Sequence, residues 1–172
     1  SRFEGQAKMF LLVLLAGASG CLSVCILKPF FGAPPNYKTN CSFDIQTACN
    51  GVLLGLVSIS SGADHFEPWA AIAVPAFGAL LYLLFTYKLV LLGVDDPINS
   101  VSVHFIGGFW GVIATGFFDN QSGLFYDGEN KGEFFSYQIC GAVCIFGWTA
   151  VIAMTYFFSL YTLDLLRIEK AY

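Results

Sequence analysis

Charged residues divide this chain into long uncharged runs. Between Lys8 and Lys28 lie nineteen residues without a charge, 9–27, and residues 45–63 between Asp44 and Asp64 make another nineteen. Residues 68–87 make twenty, residues 97–118 twenty-two, and residues 134–163 thirty. About 20 mainly apolar residues in a helix cross a hydrocarbon core about 30 Å thick. No water reaches backbone groups at that depth, so a spanning run satisfies its own hydrogen bonds as a helix. One such run also suits a helix buried in a soluble core; five in succession do not. The pattern predicts an all-α integral membrane protein of five transmembrane helices, over about 9–27, 45–63, 68–88, 97–118 and 134–165. A single membrane domain, 1–172, contains them all. The last run is long enough to tilt or to extend into the cytoplasm. Only Lys28–Asp44, with Pro29, Pro34 and Pro35, makes a connector of any length, and it reads as stiff and turn-rich. Ser1–Lys8 reads as the inside of a longer chain or as a processed end.

Composition agrees. Of 172 residues 56% are hydrophobic and 12% charged, with a mean hydropathy of +0.68, against about a quarter charged in a soluble domain. A net charge of −4 argues against a nucleic-acid partner. Five crossings put Arg2, Lys8 and Lys131 on one side and Lys28, Lys38, Lys88, Arg167 and Lys170 on the other. The side richer in Lys and Arg is cytoplasmic, so the N-terminal end is expected outside and the C-terminal end inside. The outer loops carry Asp64, Glu67, Asp119, Asp127, Glu129 and Glu133 against Lys131. Either they form an acidic mouth that concentrates a small cation, or they are simply a solvated surface. His65, in the same loops, reads as solvated.

The six cysteines include Cys21/Cys25 and Cys140/Cys144, each spaced i, i+4, with Cys41 and Cys49 flanking the second helix start. Small buried apolar residues are the better reading, and neither a metal nor a cofactor is expected. No nucleophile–base pair or paired carboxylates stand out, so an enzyme is not expected.

The fourth run carries the candidate chemistry. Asp95-Asp96-Pro97 opens it, with Asp96 suited to capping and Pro97 to a first helical turn. The acidic pair is expected to be structural, offering carboxylates to the amides that open the helix. His104 is the one histidine inside an apolar run, roughly 10 Å along the helix. An ionisable residue at that depth is costly and marks a pathway or a partner. Gly108, Gly111 and Thr115 follow at i+4, i+7 and i+11, giving a face nearly bare of side chains. That face is a lumen wall or a close helix–helix contact. On the second run Gly51 and Gly55 make a small-x-x-x-small pair, and Asn50 beside them needs a polar partner in lipid. Pro68 suits the first turn of the third helix and Trp69 an anchor at the outer interface. Pro75 is expected to kink that helix.

Asp95-Asp96-Pro97 followed by Val103-His104-Phe105-Ile106-Gly107-Gly108-Phe109-Trp110-Gly111 resembles a signature of the ammonium transporter and Rhesus protein family. Asn50-Gly51 with Gly55-Leu56-Val57, and Glu67-Pro68-Trp69-Ala70-Ala71, are similar to two further segments of that family. Weaker likenesses are Gly123-Leu124-Phe125-Tyr126 and Leu165-Leu166-Arg167, so order and spacing agree from about Met9 to Arg167. The resemblance implies the last five of eleven helices in an inverted-repeat fold. It implies ammonium or ammonia as substrate, a plasma membrane or organellar setting, and a homotrimer. It also implies that His104 is the second of two histidines lining a narrow hydrophobic pore, through which ammonium passes as ammonia. A neutral imidazole both donates and accepts hydrogen bonds, which suits that role. Phe105 stands where the family usually has glycine, and Asn99 where it commonly has an acid. Six earlier helices and the first histidine have no counterpart here. Two functions therefore follow. The chain is part of a conducting ammonium channel, completed by the missing N-terminal half, or a non-conducting half-transporter kept as a structural subunit of a hetero-oligomeric membrane complex.

Overall fold

The computed structural model describes residues 2–31, 44–127 and 130–167. Their regular secondary structure is helical, with no strand among them. Helix α1 runs Arg2–Phe31, α2 Ile45–Ile59 and α3 Ala70–Leu91. A π-helical turn, Val101–Ile106, leads without a break into α4, Gly107–Phe118, and α5 runs Lys131–Thr162. Helices α1, α3, the Val101–Phe118 segment and α5 are long and apolar enough to cross a membrane, while α2 is apolar but only 15 residues long. Cys41 and most of the proline-rich connector lie outside the described residues.

Helix ends depart from the charge boundaries in both directions. α1 continues beyond Lys8 and Lys28 at its two ends, because a charge marks the edge of the hydrocarbon and not the end of a helix. The helix carrying His104 begins later than Pro97. Asn99 takes a left-handed conformation, φ +56°, which separates Pro97 from the first helical turn. α2 stops at Ile59 and gives way to turns through His65. α3 runs on through Pro75 near its start.

The tightest packing joins α1 to α2. A methyl group built on Gly55 would collide with the carbonyl oxygen of Ala16, and one on Gly20 with that of Gly51. One on Gly51 would stand 2.8 Å from Cys21 Cα. Three glycines thus let the two backbones touch, which replaces a hydrophobic driving force that lipid does not supply. α3 covers this pair. Leu12, Ala16, Ile59, Phe66, Val74 and Ala114 form one core, and Val24, Leu54, Ala79, Tyr82, Leu83 and Val103 a second. α5 is different: it rests on α4 and its entry turn, with Phe135 against Phe117 (rings 4.9 Å apart) and Phe146 against Phe105 (5.8 Å). Ala142 is its one buried residue.

Candidate functional site

The chain leaves α3 and reverses through Gly93, φ +70°. Asp96 then organises the next start. Its two carboxylate oxygens accept the amides of Ser100 and Val101 at 2.8 and 2.9 Å. These are the unpaired donors that any helix start leaves, and a negative group is favoured beside them. Asp95 is exposed and makes no hydrogen bond among the described residues. The Asn99 carbonyl accepts the Val103 amide at 2.9 Å, carrying the ladder into the turn.

Two side-chain amides reach across from α2. Gln46 Nε2 donates to the Pro97 carbonyl at 2.8 Å, and Asn50 Nδ2 to the Ile98 carbonyl at 3.1 Å. Asn50 is buried and also meets the Tyr82 hydroxyl at 3.3 Å. Burial of an amide demands such partners. Gln46 was not among the residues the sequence singled out, although it stands one helical turn before Asn50.

His104 lies inside the π-helical turn. Its imidazole is exposed and makes no hydrogen bond or ion pair among the described residues. A turn of this kind widens the helix locally and recurs at functional positions. Gly108 is half-buried, with room for a methyl group 3.8 Å from Val57 Cγ1. Gly111 and Thr115 share the spacing but not the environment. Gly111 is buried so closely on α2 that a methyl group would stand 2.7 Å from the Ser58 carbonyl oxygen. Thr115 is buried, donates to the Gly111 carbonyl at 3.0 Å and bonds the Ser61 hydroxyl at 2.7 Å. One face of one helix is therefore open at His104 and closed at Gly111 and Thr115. Phe105 turns away from α2 and sits among Phe85, Phe109 and Phe146, 5.8–6.2 Å between rings. An apolar groove of about 380 Å³ between α3 and α4, lined by Leu84, Phe85, Ile106 and Phe109 among others, does not include His104.

Polar groups gather at both ends of the bundle. At one, Lys28 pairs with Asp44 and bonds Thr47, while Asp44 caps α2 by accepting the Thr47 amide. Burial by itself raises the Asp44 pKa, but the bonds from Lys28 and Thr47 outweigh it and hold the carboxyl below its ordinary value. At the other end Trp69, half-exposed, donates to Glu67 at 2.7 Å and packs edge-on against Phe118 at 5.4 Å. Asp119 is buried and accepts the amides of Gln121 and Ser122. His65 pairs with Asp64 at 3.1 Å, and its carbonyl accepts the Asn120 amide.

Comparison with known proteins gives a family match over residues 3–172, to the Ammonium Transporter Family. Ammonium transporter 3 of Dictyostelium discoideum is 28% identical, over 98% of this chain and 40% of its own length. Ammonium transporter 1 member 2 of Arabidopsis thaliana is 33% identical, over 74% of this chain and 27% of its own length. The chain thus spans two fifths or less of these relatives. Its fold matches the crystal structure of Saccharomyces cerevisiae Mep2, with a TM-score of 0.77 at 21% identity over 96% of this chain and 38% of that one. A Sensor Amt Protein matches with a TM-score of 0.78 at 23% identity, over 95% and 39% of the two chains.

Proposed function

The chain belongs to the ammonium transporter family, an integral membrane family of transporters rather than enzymes, and from that premise we propose that it forms one wall of an ammonia-conducting pore with His104 on the lumen. The observation that carries the reading is the exposed imidazole of His104 inside the first turn of a spanning segment, Val101–Phe118, without a partner among the described residues. In lipid such a group is costly, so the face it presents is directed at a lumen or at further protein. In the pore reading Gly108 lines the lumen beside it. Gly111 and Thr115 stand one layer behind, fixing that helix against α2. The opposite wall, with a facing histidine, comes from protein outside these helices. Ammonium is drawn to the acidic outer end, gives up its proton, and passes as ammonia that His104 hydrogen-bonds on either ring nitrogen. The lysine and arginine distribution supports an outer N-terminal end and a cytoplasmic C-terminal end, and a trimer in a plasma or organellar membrane follows from the family reading.

The test is ammonium uptake by the complete protein carrying His104→Ala, at matched amounts in the membrane. Uptake falls about tenfold, the scale of one lost hydrogen bond of about 1.5 kcal/mol to the passing ammonia. Uptake that His104→Ala leaves unchanged would sink the pore reading, and uptake by neither form above that of membranes without the protein would leave the non-conducting structural subunit.

A further inference from the structure

We propose that Gln46 and Asn50 act together as an amide clamp that sets the height and rotation of His104, making them positioning residues for conduction. The inference rests on the pore reading and names what holds its central side chain in place. The link before the π-helical turn, residues 92–100, has little regular structure of its own. Left to itself it would not fix where the next helix begins. Gln46 and Asn50 stand one turn apart on α2, so both side chains point from the same face. They donate to successive carbonyls, Pro97 at 2.8 Å and Ile98 at 3.1 Å. These carbonyls lie just ahead of the left-handed Asn99 and the amides held by Asp96, so they need partners from elsewhere.

The same α2 helix holds the segment a second time, further along. Gly111 rests on the Ser58 backbone of α2, and Ser61, in the turn that follows α2, donates to the Gly111 carbonyl at 2.7 Å. His104 lies between these two attachments, inside the one turn whose winding is not α-helical. Two fixed points on a rigid neighbour, with a widened turn between them, determine which way residue 104 faces. The buried Val103 next to it, 1% exposed, marks how sharp that setting is. Tyr82 completes the arrangement by bonding the Asn50 amide from α3. Catalytic and transport groups depend on such supporting contacts, since a shift of about 1 Å can cost up to about a hundredfold in rate.

The experiment uses the complete protein with Asn50→Leu, Gln46→Met, or both, each assayed for ammonium flux at matched membrane abundance. Gln46 is exposed, so its replacement keeps the fold even if the buried Asn50 change lowers yield. Maximal flux is expected to fall about threefold for Gln46→Met and about tenfold for the pair, with half-saturation unchanged. Asn50→Gln, which keeps the donor, restores part of the loss. A transport-independent readout accompanies it: labelling by a water-soluble thiol reagent of His104→Cys and Val103→Cys in a cysteine-free background. With the clamp intact, position 104 reacts far faster than 103; with both amides removed, the ratio falls at least about fivefold as the helix turns. An unchanged labelling ratio would overturn the clamp, and so would full maximal flux in the double variant where His104→Ala itself lowers uptake. A fallen ratio together with unchanged uptake in His104→Ala would uphold the clamp and remove the pore reading beneath it.

Discussion

The α1–α2 seam and the α4–α5 contact solve the same problem with opposite materials. In the seam Gly20, Gly51 and Gly55 bring backbone against backbone, and nothing larger than hydrogen fits at the contact. At α5 the contact is made by rings: Phe135 lies across Gly116 and Phe146 meets Phe105. Backbone contacts cannot yield, whereas a ring can swing on its χ angles. The seam therefore fixes a geometry, and the ring contact fixes only a neighbourhood. α2, which the seam locks to α1, also carries both attachments of the His104 segment. Rigidity at the seam is passed on to the candidate site, while α5 adjoins it loosely.

The comparison breaks most sharply at Gly55. Gly55→Leu should destabilise the bundle by about 3 kcal/mol or more, because its side chain meets the Ala16 carbonyl and neither backbone can retreat. Thermal unfolding of the purified protein in detergent measures this, and a change below about 0.5 kcal/mol would mean the seam is not rigid. Gly116→Ala is the matching change on the other side. Its methyl group would stand 2.5 Å from the Phe135 ring, which can rotate away, so the expected cost is about 1 kcal/mol. A loss equal to that of Gly55→Leu would erase the distinction.

The smallest effect is at Asp44, where α2 is capped. A carboxyl held below its ordinary value in the folded protein stabilises fully above the unfolded value, and that contribution disappears as pH falls through the lowered folded value. Asp44→Asn should flatten this acid-side dependence of the unfolding temperature and leave the midpoint near pH 7 only slightly lower. An unchanged acid limb would show that the Lys28–Asp44 pair contributes nothing measurable, as partly exposed ion pairs often do.

Much of the fold was legible because lipid imposes a simple rule, that charge-free runs must be helices, and each of the five runs overlaps one helical stretch, though the ends differ. Direction around each helix was much less legible. In a segment apolar on every side, hydrophobic periodicity does not say which face is buried. Spacing alone put His104, Gly108, Gly111 and Thr115 on one face, but could not tell that Gly111 and Thr115 press on α2 while His104 is open. The π-helical turn left no trace in the sequence either; it lies between attachments at residues 97–98 and 111 to another helix, which the sequence of the segment does not contain. Gly20, the partner of the Gly51–Gly55 pair, was invisible for the same reason: a pairing between helices is not written in either one.

The brevity of α2 bears on how the chain enters its membrane. Fifteen helical residues reach only about 22 Å, short of a hydrocarbon core about 30 Å thick, and this helix includes Asn50 and Thr47. Such a segment partitions poorly by itself. With α1 already across the bilayer, the glycine seam offers it a backbone to lie against and Lys28 a partner for its cap. α1 and α2 are thus suited to leave the translocon as a pair, with the earlier helix serving as companion to the later. α5 needs no such companion: thirty-two residues long and almost wholly unburied among the described residues, it is apolar enough to partition on its own hydropathy.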